Sequence, residues 1–125
     1  EVQVELINKF NLDFVSSRAI TIQTNKFIPN ISFYLPYKFL IKYKNPFVHG
    51  TLMIKKDVLL KLGSYDERFK YAQDYKLMID AIDKQYKFKV LRKPYYKLNT
   101  KNNISNLFKH QQEHFADCAR RGIDP

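Results

Sequence analysis

The chain has 125 residues, with 22 Lys and Arg against 12 Asp and Glu, a formal net charge of +10 and 45% hydrophobic residues. That is one domain's length, with room for a small core. At a mean hydropathy of −0.46, the composition excludes a disordered tail, a fibrous repeat and a membrane span.

From the N-terminus, Val2, Leu6, Ile7 and Phe10 recur on one side, which predicts a helix over 1–10 that Asn11 breaks. Branched and aromatic residues (Phe14, Val15, Ile20, Ile22) predict a strand over 13–23. The stretch 26–44 mixes Pro29 and Pro36 with many aromatic residues and reads as a loop holding a short helix near 37–42. Asn45-Pro46 marks a turn. The apolar run Phe47 to Ile54 is expected as a buried strand. Val58, Leu59 and Leu62 face inward from a helix over 55–62, and Gly63 stands where a left-handed C-terminal residue is favoured. A polar loop over 64–68 leads to a helix over 73–85, whose apolar stripe is Leu77, Met78, Ala81 and Ile82. A strand over 87–91 is expected to end at Pro94, with Tyr95 to Leu98 a second short one. Asn102 to Ser105 reads as a turn and Ser105 as an N-cap. The last helix is expected over 106–121, with Leu107, Phe108, Gln111, Phe115 and Cys118 on one face and Gly122 ending it. Helices and strands alternate, so the fold class is α/β, or α+β where the sheet is mixed.

Five of the basic residues are Arg and the rest Lys, and no run exceeds Lys55-Lys56 or Arg120-Arg121. This spreading differs from the arginine-rich stripe of a nucleic-acid binder. Abundant Lys, Asn, Ile, Tyr and Phe fit a compositional bias. The functional reading is a field that attracts phosphates, acidic polysaccharide or an anionic membrane. Cys118 is the sole cysteine, which excludes an intrachain disulfide and a cysteine-based zinc site and fits a reducing compartment.

The most informative stretch reads Phe47-Val48-His49-Gly50-Thr51, then Leu62-Gly63-Ser64-Tyr65-Asp66-Glu67-Arg68-Phe69, then Ala72-Gln73-Asp74-Tyr75-Lys76-Leu77. Asp74 falls in the first turn of a helix, at the positive end of its dipole. A carboxylate there is held by the helix behind it and can face a cleft, as a general base must. The same position also suits a carboxylate that only stabilises a helix start. Gly50 inside a strand admits a ligand or backbone closely, or marks a tight bend with His49 inert.

In order and spacing these residues resemble the acceptor half of family 2 glycosyltransferases with the GT-A fold. That family carries a His-Gly-Ser/Thr strand, a Gly-Gly-Tyr-Asp-Glu loop and a Glu/Gln-Asp pair opening a helix. Tyr96-Lys97 and Asn103-Ile104-Ser105 also resemble its aromatic-basic strand end and the turn before its last helix. Residues 2–22 look like the helix and strand after its metal-binding Asp-x-Asp. The resemblance implies a single domain over 1–125: a partial GT-A-like fold, with a short mixed sheet flanked by helices and the nucleotide-binding half missing. Residues 1–25 would follow the absent metal motif, and 45–125 would form the acceptor side.

The same resemblance implies an inverting transferase of polysaccharide and cell-envelope biosynthesis. It would move a sugar from a nucleotide-sugar donor to a hydroxyl of a glycan or lipid-linked acceptor. Asp74 takes the role of catalytic base, and His49, Gly50, Thr51 and Gln73 are expected to bind substrate. The aromatic stretch 27–43 is a candidate stacking surface for sugar rings, or else part of the core. Asp66 and Glu67 are expected to be structural, in a loop that positions Asp74. Two positions depart from the family: Ser64 replaces the second glycine, and Lys76 replaces the acidic residue after Asp-Tyr. The chain has no Asp-x-Asp and no glycine-rich phosphate loop. The divalent Mg or Mn expected in the parent enzyme therefore has no ligands here, and the fragment alone is expected to be inactive. The first residue, Glu1, agrees with a cut-out piece. The expected setting is cytoplasmic, at the inner face of the membrane with peripheral association, and no nucleic acid is expected.

His110-Gln111-Gln112-Glu113-His114 matches the letters of one zinc-protease class, with Asp117 the nearest third ligand. A polar helix face explains it better. Two rival readings remain. One is a basic, non-catalytic module for nucleic acid or an anionic surface, which predicts steep salt dependence. The other is a structural domain docking through its last helix. The basic-module reading does not account for the ordered motifs from His49 to Asp74.

Overall fold

The computed structural model describes residues 2–29, 31–98 and 108–125. It is a mixed α/β fold: a small sheet flanked by helices. The strands are β1 (Phe14–Thr21), β2 (Phe27–Ile28), β3 (Met53–Ile54) and β4 (Phe88–Leu98). The helices are α1 (Val2–Phe10), α2 (Tyr37–Leu40), α3 (Lys56–Lys61), α4 (Gln73–Asp83) and α5 (Lys109–Arg121). Two 3-10 turns, Ile31–Tyr34 and His49–Thr51, complete the described elements.

β1 is the centre of the sheet and is buried along nearly its whole length. Ser16, Ser17, Arg18 and Thr21 are therefore buried together with its apolar residues and take hydrogen bonds there. β4 lies parallel along one edge of β1. The other edge is shared. β3 pairs antiparallel with Phe14 and Val15, and β2 pairs antiparallel with Ala19 and Ile20. Between those two short strands, Ser16 and Ser17 have no strand partner on that edge.

The core forms where β1 meets α4. The Phe14 ring stacks on Phe88 at 5.0 Å and meets Phe47 edge-on at 5.7 Å. Offset and edge-on packing suits the ring quadrupoles. Leu77, Met78, Ala81 and Ile82 of α4 are buried against this cluster, as their stripe predicts. Cys118 and Ala119 of α5 close it from outside. Tyr37 is buried with its hydroxyl unpartnered among the described residues. Burial pushes its pKa up to about 12, against the opposing pull of nearby Arg18, so the phenol keeps its proton.

The helix ends follow the sequence closely. Gly63 adopts φ 84, and Ser64 and Gly63 return their N–H groups to Leu59 and Leu60. Gly122 at φ 66 does the same for α5, with Ile123 bonded to Cys118 and Gly122 to Ala119. Asn11 and Gln85 take left-handed positions after α1 and α4. These are Schellman ends, which satisfy carbonyls the helix leaves free.

Several expectations need correction. Phe47 to Ile54 is not one strand: only Met53–Ile54 pairs, and His49–Thr51 coils into a 3-10 turn. The reason is Thr51, whose side chain fills the gap on β1 that a strand would otherwise occupy. Pro94 does not end its strand. The ladder jumps from Ser17–Leu91 to Ala19–Tyr96, so Pro94 lies in a bulge of β4 where no ladder N–H is required. The stretch 26–44 contains β2 and a 3-10 turn besides the short helix. On α5, Gln111 is exposed and the packed face runs through Phe115, Ala116, Cys118 and Ala119. The turn over 102–105, the Ser105 cap, and positions 106 and 107 of the last helix lie outside the described residues.

Candidate functional site

The site is built around the start of α4. Ala72 precedes the helix at φ 60, a left-handed conformation that costs an ordinary residue about 1–2 kcal/mol. Strain of this kind needs a surrounding structure that over-determines it. Phe69, fully buried, packs on Phe115 of α5 at 6.2 Å and fixes the approach. Tyr75 donates its hydroxyl proton to the Ile41 carbonyl at 2.6 Å, tying the first turn of α4 to the end of α2. Gln73 and Asp74 are thereby held as the first two residues of the helix.

Asp74 is half-buried and borders two hollows. The first, of about 260 Å³, is lined by His49, Tyr65, Lys70, Tyr71, Gln73, Asp74 and neighbours. The second, of about 350 Å³, is lined by Lys44, Asn45, Asp74, Tyr75, Glu113, Arg120 and neighbours. A larger hollow of about 550 Å³ lies near Lys38, Tyr86 and Lys87, away from Asp74. Another, of about 420 Å³, is lined by Asp66, Glu67, Arg68, Lys76 and Asp80, so the site is singled out by a half-buried carboxylate shared between two hollows rather than by volume or polarity.

Asn45 orients Asp74. Its Oδ1 accepts the Phe47 N–H at 3.1 Å, which turns its amide nitrogen outward. That Nδ2 donates to Asp74 Oδ2 at 3.1 Å. The backbone bond thus decides which way the amide points. Among the described residues, Asn45 is the one side-chain donor to this carboxylate.

His49 meets Tyr65 across the first hollow. Their rings are edge-on at 5.7 Å, and Tyr65 Oη lies 3.3 Å from His49 Nε2. Burial, and then the nearby Asp74 charge, raise the Tyr65 pKa above its ordinary value. The phenol therefore keeps its proton and can donate it to Nε2 when the ring proton is on Nδ1.

Gly50 and Thr51 do not line the hollows. A Cβ on Gly50 would lie 2.6 Å from Cζ of Tyr96, so the glycine makes room for the tyrosine ring crossing it from β4. Thr51 is buried, and its hydroxyl bridges the gap in β1. It accepts the Ser17 N–H at 3.0 Å, lies 2.7 Å from Ser16 Oγ, and has the Val48 and Ser17 carbonyls at 2.7 and 3.0 Å for its proton. Its role is to hold the turn that presents His49.

The loop before the site is fastened by charge. Asp66 accepts the backbone N–H, Nε and Nη2 of Arg68, while Arg68 Nη1 reaches Asp124 at 2.7 Å. The Arg68 hydrogen bond holds the Asp66 carboxyl below its ordinary range. Asp66 therefore folds its own loop, and the end of α3 is capped by backbone alone. Glu67 is exposed. Lys76 pairs with Asp80 at 2.8 Å and lines a hollow that Asp74 does not share. On α5, Asp117 is engaged by Arg121 and Arg120 at 3.4 and 3.8 Å.

Among the described residues no three His, Cys, Asp or Glu side chains converge in a way that could hold a metal ion. The described residues therefore do not fit the divalent metal that the family resemblance implies. No described helix is long and apolar enough to cross a membrane.

Sequence reasoning missed Asn45, Tyr65 and Tyr71 as site residues. Tyr65 was within reach, because it stands in the same short motif as Asp66. No family model, curated protein or solved structure matches this chain.

Proposed function

We propose that the chain is the acceptor-side portion of an inverting glycosyltransferase with a GT-A-like fold, part of a longer enzyme that carries the nucleotide-binding half. The observation that carries this reading is the meeting of His49, Gln73 and Asp74 in one hollow, although 25 positions separate the first from the last. The family resemblance names the same three residues from their order alone.

On this reading Asp74 is the general base. The acceptor hydroxyl gives its proton to the carboxylate as its oxygen attacks the anomeric carbon. The bond from that carbon to the nucleotide diphosphate breaks, and its electron pair leaves with the diphosphate. Attack opposite the leaving group inverts the configuration. Asn45 holds the carboxylate in register, which matters because misplacement by an ångström costs orders of magnitude in rate. Tyr65 and His49 form the wall that orients the sugar or acceptor. Thr51 and Gly50 support that wall from behind.

The test is release of nucleoside diphosphate by the full-length enzyme, incubated with a panel of nucleotide sugars and with glycan or lipid-linked acceptors. Release that requires an acceptor is expected for one donor. No acceptor-dependent release across the panel counts against the reading.

A further inference from the structure

Between Asp13 and Asp57 the chain contains no Asp or Glu, yet it carries Arg18 and six lysines. The middle of this stretch, 34–44, is amphipathic in an unusual sense. Tyr37 and Ile41 turn inward and are buried. Backbone bonds from Ile41 to Tyr37 and from Lys44 to Leu40 carry the helical path past the end of α2. The outward positions repeat every four residues as Leu35, Phe39 and Tyr43, which are 50%, 63% and 76% exposed. Tyr34 beside them is 65% exposed. Lys38 and Lys42 are exposed between these rings, and Lys42 Nζ lies 6.0 Å from the Phe39 ring. No ion pair among the described residues involves Lys38, Lys42 or Lys44.

Aromatic rings at headgroup depth, with ammonium groups on lipid phosphates, are the chemistry of an element that lies in a membrane interface. The outward side of a helix is convex. That shape fits a bilayer surface better than a nucleic-acid strand, which needs a groove with stacking platforms. The exposed rings also stand outside the hollows at Asp74, so they do not serve as a sugar platform there. We propose that the outward face of residues 34–44 docks the chain on an anionic lipid bilayer. Lys44 and Asn45, where the segment ends, line the hollow at Asp74, so docking brings the bilayer to the lip of the site. This last step rests on the glycosyltransferase reading and favours a lipid-linked acceptor over a free glycan.

The experiment is co-sedimentation of the chain with phosphatidylcholine vesicles, with and without about one-third phosphatidylglycerol. It needs no transfer activity, so its failure and the failure of the enzymatic reading are distinguishable. Binding to the anionic vesicles is expected to be at least about tenfold stronger and to weaken with salt. The pairs Phe39→Ser with Tyr43→Ser and Lys38→Glu with Lys42→Glu are each expected to reduce it by at least about tenfold. All four side chains are exposed, so an unchanged thermal unfolding midpoint verifies the fold. Lys56→Glu with Lys61→Glu on α3 makes the same charge change elsewhere and is expected to lower binding by less than about threefold. The proposal is overturned by equal binding to neutral and anionic vesicles, or by an equal loss in the α3 variant. It is also overturned if the segment variants lose binding to single-stranded RNA and keep binding to vesicles.

Discussion

On the proposed transferase reading, Asp74→Asn is expected to lower turnover of the full-length protein by a factor of about 10² to 10⁴, the range over which a positioned base acts. The substitution keeps shape and removes only basicity. Asn45 Nδ2 can donate to an amide oxygen as it does to the carboxylate, so the contact at 3.1 Å survives. Acceptor affinity is expected to change little, because the loss falls on the transition state. The folded state loses one negative charge at a helix start, which contributes about 0.3–1 kcal/mol. These readouts separate the two roles open to the residue. The small drop in stability is expected in either case, so turnover decides: a base gives turnover lost far beyond that drop, and a purely structural carboxylate gives the same drop with turnover preserved.

Thr51→Val carries the largest expected effect on stability, about 3 kcal/mol. Valine matches threonine in shape but has no hydroxyl. The buried Ser17 N–H loses its acceptor, and Ser16 Oγ loses its 2.7 Å partner. Each buried group left unsatisfied costs about 1–3 kcal/mol. For a chain of this length the midpoint of thermal unfolding should fall by roughly 10 °C. Thr51→Ser keeps the hydroxyl and is expected to fall by less than half as much. A fall of less than about 1 kcal/mol in Thr51→Val contradicts the bridging role, since valine keeps the methyl group and loses only the hydroxyl. The same hydroxyl can donate to the Val48 carbonyl at the start of the 3-10 turn, so its loss also weakens the turn that presents His49.

The features legible in the sequence were those set by nearest neighbours along the chain. Asn11, Gly63 and Gly122 mark helix ends because the left-handed conformation belongs to single residues. The stripe of α4 is read from periodicity, and Asp74 from its place in the first turn. The illegible features are contacts between distant segments. Asn45 reaches Asp74 across 29 positions, and only its bond to Phe47 decides which end of the amide points there. Thr51 looks like a strand residue, yet its side chain stands in for a strand on β1. Pro94 carries the usual mark of a strand end, and a bulge removes the need for its missing N–H. Lys76 departs from the family pattern two positions after Asp74, and only the fold shows that its partner Asp80 holds it in another hollow. The outward aromatic face of 34–44 was ambiguous for a related reason. Composition does not say which rings face the core, and there Tyr37 faces in while Phe39 faces out.

The proposed reaction is a direct displacement assisted by one base at the start of α4. The measurement that tests it most directly is the anomeric configuration of the new glycosidic bond in the product made by the full-length protein, read by proton NMR from its anomeric proton. The account predicts the configuration opposite to that of the donor sugar. A product that retains the donor's configuration would contradict it, because retention requires either a second displacement or attack from the leaving-group face.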